Sequence, residues 1–214
     1  MSVLTYDPAV AARALSATDP RLAGLIERVG PVRFGADRMR GDTFEVLLRA
    51  IVYQQLSGKA AGTIHARILA LFGDNRASAA GLERLDDEQL RGAGLSVNKL
   101  RAARDLADHC LNGRLPDIRR LRQLDDETVI ERLTAVRGIG RWTAEMLLIF
   151  RLGRPDIWPV DDLGVRKGYA VIRGCEMPSP AALADAGKIW APWRSVAAWY
   201  CWRAVQNPEL LSAS

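Results

Sequence analysis

Two aspartates, Asp161 and Asp162, follow Pro159-Val160 and precede an apolar-periodic run over Leu163–Ile172. Upstream, Gly138 and Gly140 flank Ile139, with Leu133 and Val136 before them. A carboxylate can stabilise positive charge that builds up during a reaction and can orient a water for attack. A Gly-x-Gly turn joins two short helices at a steep angle and, lacking Cβ atoms, lets a phosphate approach peptide N–H groups. Arg137 and Arg141 place positive charge beside that turn. The pair of features therefore suits a backbone that holds a phosphate chain and an acid that acts on what hangs from it. Each also has a purely architectural reading: a helix C-cap followed by a turn, and an N-cap followed by a first-turn acid. The spacing adds weight to the chemical one. Asp162 lies twenty-two residues beyond Gly140, along a helix over Arg141–Leu152 and a loop bearing Gly153, Pro155 and Pro159. Such a return path can bring an acid back beside the turn.

The elements that must position these residues read as helices almost throughout. Asp7-Pro8 and Asp19-Pro20 each put an N-cap before a proline at the first helical position, and Gly30-Pro31 ends the second helix. Asp42-Thr43 starts a helix through about Gln55, with Phe44, Leu47, Leu48, Ile51 and Val52 at helical spacing. Ser57 caps a helix over Lys59–Phe72, and Ser96 one over Val97–Leu111 that Asn112-Gly113 closes. The segments Leu82–Glu88 and Leu121–Glu127 echo one another, each ending in Asp-Asp-Glu, which caps a short helix. Alternating strand patterns are scarce and hairpin signals absent. The expectation is an all-α protein of about ten helices in two lobes with a cleft between them.

The 214 residues carry a net charge of +5, mild evidence for a polyanionic partner. Between Arg137 and Arg203 there are ten Arg or Lys against six Asp or Glu, so most of the surplus sits with the glycine turn. All six tryptophans lie there too, and basic residues among large aromatics suit stacking of a base beside a phosphate backbone as well as core packing. Cys110, Cys175 and Cys201 form no C-x-x-C pair, which argues against zinc and iron–sulfur sites. An odd cysteine count without a disulfide pattern fits a reducing cytoplasm, and the N-terminal stretch lacks the features of a signal peptide. No apolar run is long enough to span a bilayer, so no membrane association is expected.

The pattern L-x-x-V-x-G-I-G-x-x-T-A over Leu133–Ala144, with the loop and aspartate after it, resembles the helix-hairpin-helix (HhH-GPD) DNA glycosylases. Three further segments resemble the 3-methyladenine DNA glycosylase II (AlkA-type) branch: Arg49–Ala61, Gly94–Lys99 and Pro192–Arg203. Together these stretches cover Arg49 to Arg203 in order, with no β-rich stretch before them, so a compact, core-only version is expected. The resemblance implies that the lobe with the hairpin runs over about 36–140 and that residues 1–35 and 141–214 form the second. It also makes Asp162 the catalytic acid and Asp161 the preceding cap. Breaking an N-glycosidic bond builds positive charge on the sugar, which a buried carboxylate stabilises; an alkylated purine, already cationic, then leaves with little help from a general acid.

By the same resemblance Gly138, Gly140, Arg137, Arg141 and Thr143 hold one DNA strand. The main-chain oxygens of Thr134, Val136 and Ile139 bind a structural monovalent cation, sodium or potassium; no other cofactor, and no nucleotide, is expected. Trp142, Trp202, Met146 and Tyr53 would line the base pocket, where an aromatic face attracts a cationic base. Met146 stands where members often carry an aromatic. Gln55, with Leu56, would fill the gap left by the flipped nucleotide. Where the branch that resembles endonuclease III has a lysine able to attack the sugar, this chain has Trp142. The expected activity is thus a monofunctional DNA N-glycosylase of base-excision repair, a monomer acting on alkylated purines in double-stranded DNA. The alternatives are a glycosylase for another lesion class and a helix-hairpin-helix DNA-binding protein without catalysis.

Overall fold

The computed structural model describes residues 4–34 and 41–207. Among these the chain is all-helical, with thirteen α-helices and no strand. That exceeds the ten or so expected, because helices of one turn, such as α5 (Ala79–Glu83) and α8 (Ile118–Leu121), are too short to leave a periodic pattern. The chain divides into two compact units, Asp37–Ala144 and Met1–Ala36 with Glu145–Ser214.

The middle unit is organised on α3 (Thr43–Tyr53) and α7 (Val97–Leu111), which pack on one another. A capping box opens α3: the Asp42 carboxylate accepts from the Glu45 amide and the Glu45 carboxylate from the Asp42 amide, each at 2.9 Å. Leu47, Leu48, Ile51 and Val52 are fully buried along one stripe of α3, as are Ala103, Leu106 and Ala107 along α7. Ser57 caps α4 (Gly58–Leu69), which ends three residues before Phe72. The helix α6 (Asp87–Gly92) begins at Asp86 and α9 (Asp126–Thr134) at Asp125, so both Asp-Asp-Glu segments start helices with their first aspartate. Arg104 of α7 closes the end of α5, donating to the Leu82 and Leu85 carbonyls at 2.7 and 2.6 Å and to Asp87 at 2.8 Å.

The other unit joins α1 (Pro8–Thr18) and α2 (Pro20–Val29) to α11 (Leu163–Arg173), α12 (Pro180–Ala186) and α13 (Arg194–Gln206). Asp7 and Asp19 cap the first two helices before their prolines. Asp19 does more than cap. It is almost fully buried, pairs with Arg173 of α11 and accepts from the Trp190 indole at 2.9 Å, tying the start of the chain to its last third. A buried carboxylate is tolerated only with partners of this kind. Trp158, Trp190 and Trp199 lie in the core with Leu22, Leu25, Val165, Ile172, Leu183 and Tyr200. The helices α11 and α13 cross where Gly168 meets the backbone of Cys201, so closely that a Cβ there would stand 2.1 Å from the Cys201 carbonyl oxygen. Arg194 and Asp156 form a two-pronged ion pair at 2.7 and 2.8 Å that fixes the start of α13.

Candidate active site

In the middle unit, α9 ends at Thr134 and α10 (Arg141–Leu147) begins after the glycine turn. Val136 and Ile139 are buried and hold the turn to the body of the unit, while Gly138 and Gly140 are exposed. The two glycines do different things. Gly138 has φ +77°, a left-handed conformation that side chains disfavour, and a Cβ on it would approach Ala102 to 3.3 Å. A Cβ on Gly140 would meet nothing within 4 Å. The fold therefore needs glycine at 138, whereas the bare backbone at 140 faces open space that another molecule can enter. The Arg137 amide donates to the Asp105 carboxylate at 2.7 Å, which pins the turn to α7. The Arg141 guanidinium is held by Glu127 at 2.7 and 3.1 Å, so its charge is shared with a partner at the start of α9. That bond holds the Glu127 carboxyl below its usual pKa. Trp142 is half exposed.

In the same unit, the helix expected to reach Gln55 ends at Tyr53, and Gln54, Gln55 and Leu56 form a turn before Ser57. Gln55 has φ +57°, and both it and Leu56 are exposed. The Tyr53 ring lies under the Arg49 guanidinium, 3.9 Å from its centroid, with His65 at its edge. Two residues to which sequence reasoning gave no role secure this turn. Lys99 donates to the Val52 and Gln54 carbonyls, both at 2.7 Å, and the Gln54 side chain donates to the Gly138 carbonyl at 2.8 Å. Partial burial lowers the Lys99 pKa from its usual value.

In the other unit Asp162, 9% exposed, is the N-cap of α11. Its backbone is extended, and its Oδ1 accepts from the Val165 amide at 2.8 Å and the Trp202 indole N–H at 2.9 Å. Asp161, expected as the cap, is exposed instead. A cap must reach the amide three residues on with non-helical φ and ψ, and here only Asp162 does so. One residue thus both starts the helix and presents a buried carboxylate. Gly164 makes the Trp202 contact possible: a Cβ there would lie 2.8 Å from the indole. Phe150 stacks on Trp202 with centroids 5.5 Å apart, and Phe34 meets Phe150 edge-on. Phe150 sits on a π-helical turn, Leu148–Leu152, that continues α10. No local sequence signal marks that turn. Met146 is buried on α10.

The site candidates thus divide between the units: the glycine turn, Trp142, Tyr53, Gln55 and Leu56 in one, Asp162, Trp202 and Met146 in the other. Among the described residues no group of three or more His, Cys, Asp or Glu could hold a metal ion. No helix among them is long and apolar enough to cross a membrane.

A hairpin with an open glycine, followed on the chain by a buried capping aspartate, defines a class, and comparison with known proteins gives the same one. The profile of the HhH-GPD superfamily of base excision DNA repair proteins matches residues 48–192, and the chain belongs to that family. It is 36% identical to DNA-3-methyladenine glycosylase 1 of Schizosaccharomyces pombe over 88% of this chain and 84% of that protein. The solved structure of the S. pombe 3-methyladenine DNA glycosylase in complex with abasic DNA superposes with a TM-score of 0.81 at 35% identity, covering 92% of this chain and 96% of that one. The DNA-3-methyladenine glycosidase of Bacillus halodurans gives a TM-score of 0.85 at 38% identity, covering 96% and 93%.

Proposed function

We propose that this protein is a monofunctional DNA N-glycosylase of base-excision repair that releases alkylated purines of the 3-methyladenine and 7-methylguanine type from double-stranded DNA. The observation that carries the reading is the buried Asp162 carboxylate, held by the Val165 amide and the Trp202 indole N–H. The names of the similar proteins support the substrate class. The units divide the work. The glycine turn, with Arg137, Arg141 and Thr143, grips one strand, and Gln55 with Leu56 fills the gap when the nucleotide flips out. Asp162 then faces the sugar. As the C1′–N bond breaks, the electron pair leaves with the cationic base, which becomes neutral, and positive charge moves to the sugar. The carboxylate stabilises that charge and orients a water that adds to C1′, releasing a proton and leaving an abasic site. Aromatic and apolar side chains suit an electron-poor base, and each unit brings two candidates: Trp202 and Met146 in one, Trp142 and Tyr53 in the other.

The main-chain oxygens of Thr134, Val136 and Ile139 are neutral donors, a set that suits a monovalent cation. Val136 O accepts the Ile139 amide at 3.1 Å and keeps a second lone pair, while the Thr134 hydroxyl turns back to the Ile130 carbonyl. A sodium or potassium ion held there would add positive charge beside the phosphate. The protein acts as a monomer in the cytoplasm.

The test is incubation with a labelled duplex carrying one alkylated purine, scored for strand breaks with and without hot alkali. Breaks that need alkali are expected, because Trp142 cannot form the Schiff base with the sugar that strand cleavage requires. Breaks without alkali would end the monofunctional reading, and no release from any alkylated duplex would end the glycosylase reading.

The Arg141–Glu127 pair gives a second expectation. Replacing Glu127 by Gln removes the carboxylate charge that competes with phosphate for the guanidinium. Affinity for undamaged duplex should then rise about threefold at low salt, with a salt slope steeper by up to about 0.9. A salt series of fluorescence anisotropy checks this, and an unchanged slope would mean that Arg141 does not reach the backbone.

A further inference from the structure

The turn between α3 and α4 is held far more firmly than its exposure explains. Gln55 and Leu56 bury little, and α3 is already anchored by the fully buried Ile51 and Val52. Gln55 nevertheless keeps a left-handed conformation, φ +57°, which costs a residue with a Cβ roughly 1 kcal/mol or more and persists only where its surroundings over-determine it. Here they do. The Lys99 ammonium reaches from the first turn of α7 to two carbonyls at the end of α3, Val52 and Gln54, where a helix dipole favours a cation. The Gln54 amide then crosses to the carbonyl of Gly138, the residue whose own left-handed backbone shapes the hairpin. Asp105, six residues along α7 from Lys99, accepts from the amide of Arg137, the residue just before Gly138 in that hairpin. One helix thereby clamps two exposed turns, and one side chain links the turns to each other.

We propose that Lys99 and Gln54 are positioning residues that lock the Gln55–Leu56 turn to the Gly138 turn, so that the group filling the gap and the backbone gripping the strand act as one rigid edge during base flipping. The inference rests on the function proposed above. Lys99 touches neither the sugar nor the base in this scheme. It sets where the gap-filling side chain stands relative to the held strand.

The test compares wild type, Lys99→Met, Lys99→Arg and Gln54→Glu in the full chain. The probe is a duplex with 2-aminopurine beside a tetrahydrofuran abasic analogue, whose fluorescence reports unstacking without base release. Single-turnover release of 7-methylguanine at saturating protein is measured beside it. Lys99→Met should lose most of the fluorescence rise and slow release by about 10-fold or more, since small misplacements are costly. Binding to undamaged duplex should stay within about twofold, because no phosphate contact is removed. Lys99→Arg, which keeps the charge and the donors, should recover most of the signal. Gln54→Glu puts a carboxylate against the Gly138 carbonyl and should repeat the Met phenotype, which keeps the test open if Lys99→Met does not fold. Full fluorescence in both Lys99→Met and Gln54→Glu would overturn the proposal. So would equal losses of fluorescence and undamaged-duplex binding, the mark of a purely structural role. Absence of release by wild type would sink the glycosylase reading instead, while the fluorescence comparison would still decide on the clamp.

Discussion

Replacing Asp162 by Asn is expected to slow release of an alkylated purine by about 10³-fold while the protein stays folded and binds duplex DNA. The substitution is close to isosteric. Its carbonyl oxygen can still accept from the Val165 amide and the Trp202 indole, and Asn is as good an N-cap as Asp. What goes is the negative charge to which the proposed function assigns stabilisation of the sugar cation and orientation of water. Asp162→Ala should show a similar rate loss together with about 1 kcal/mol of lost stability, because the cap goes too. Single-turnover excision beside thermal melts separates the two effects. An Asn variant within tenfold of wild type would place the chemistry elsewhere.

The next largest effect should come from a buried glycine at a helix crossing. Gly168→Ala would put a methyl 2.1 Å from the Cys201 carbonyl oxygen and 2.4 Å from its carbon, and backbone cannot step aside as a side chain can. The helices α11 and α13 must separate or tilt. Overpacking of this kind costs about 3 kcal/mol or more, which for a chain of this size lowers the melting temperature by roughly 10 °C. Activity should fall as well, even at temperatures where the variant is folded. Asp162 caps α11, Trp202 follows Cys201 on α13, and their 2.9 Å bond spans that crossing. A stability loss with unchanged release per folded molecule would show that the indole bond does not position the carboxylate.

Much of the scaffold was legible along the chain. Asp7, Asp19, Asp42, Ser57 and Ser96 cap the helices that their side chains announce, and Val97–Leu111 runs between the expected ends. Hairpin, loop and aspartate also stood out by spacing, and they carried the family. These signals are local: a cap bonds an amide three residues away, and an apolar stripe repeats within two turns. Where local cues ran short the reading slipped. One-turn helices went uncounted, the run over Arg141–Leu152 ended in a π-helical turn, and the cap expected at Asp161 is made by Asp162.

The sequence by itself determined that the chain is helical, that a glycine hairpin precedes an acid on a capped helix, and that no lysine follows Arg141. Only the tertiary structure decided which groups meet. Trp202 reaches Asp162 across forty residues, Gln54 reaches Gly138 across 84, and Arg141 is held by Glu127. Such pairings depend on how near two helices approach. That distance is set by side-chain volume at their crossing, as at Gly168 against Cys201, and no pattern within either helix encodes it.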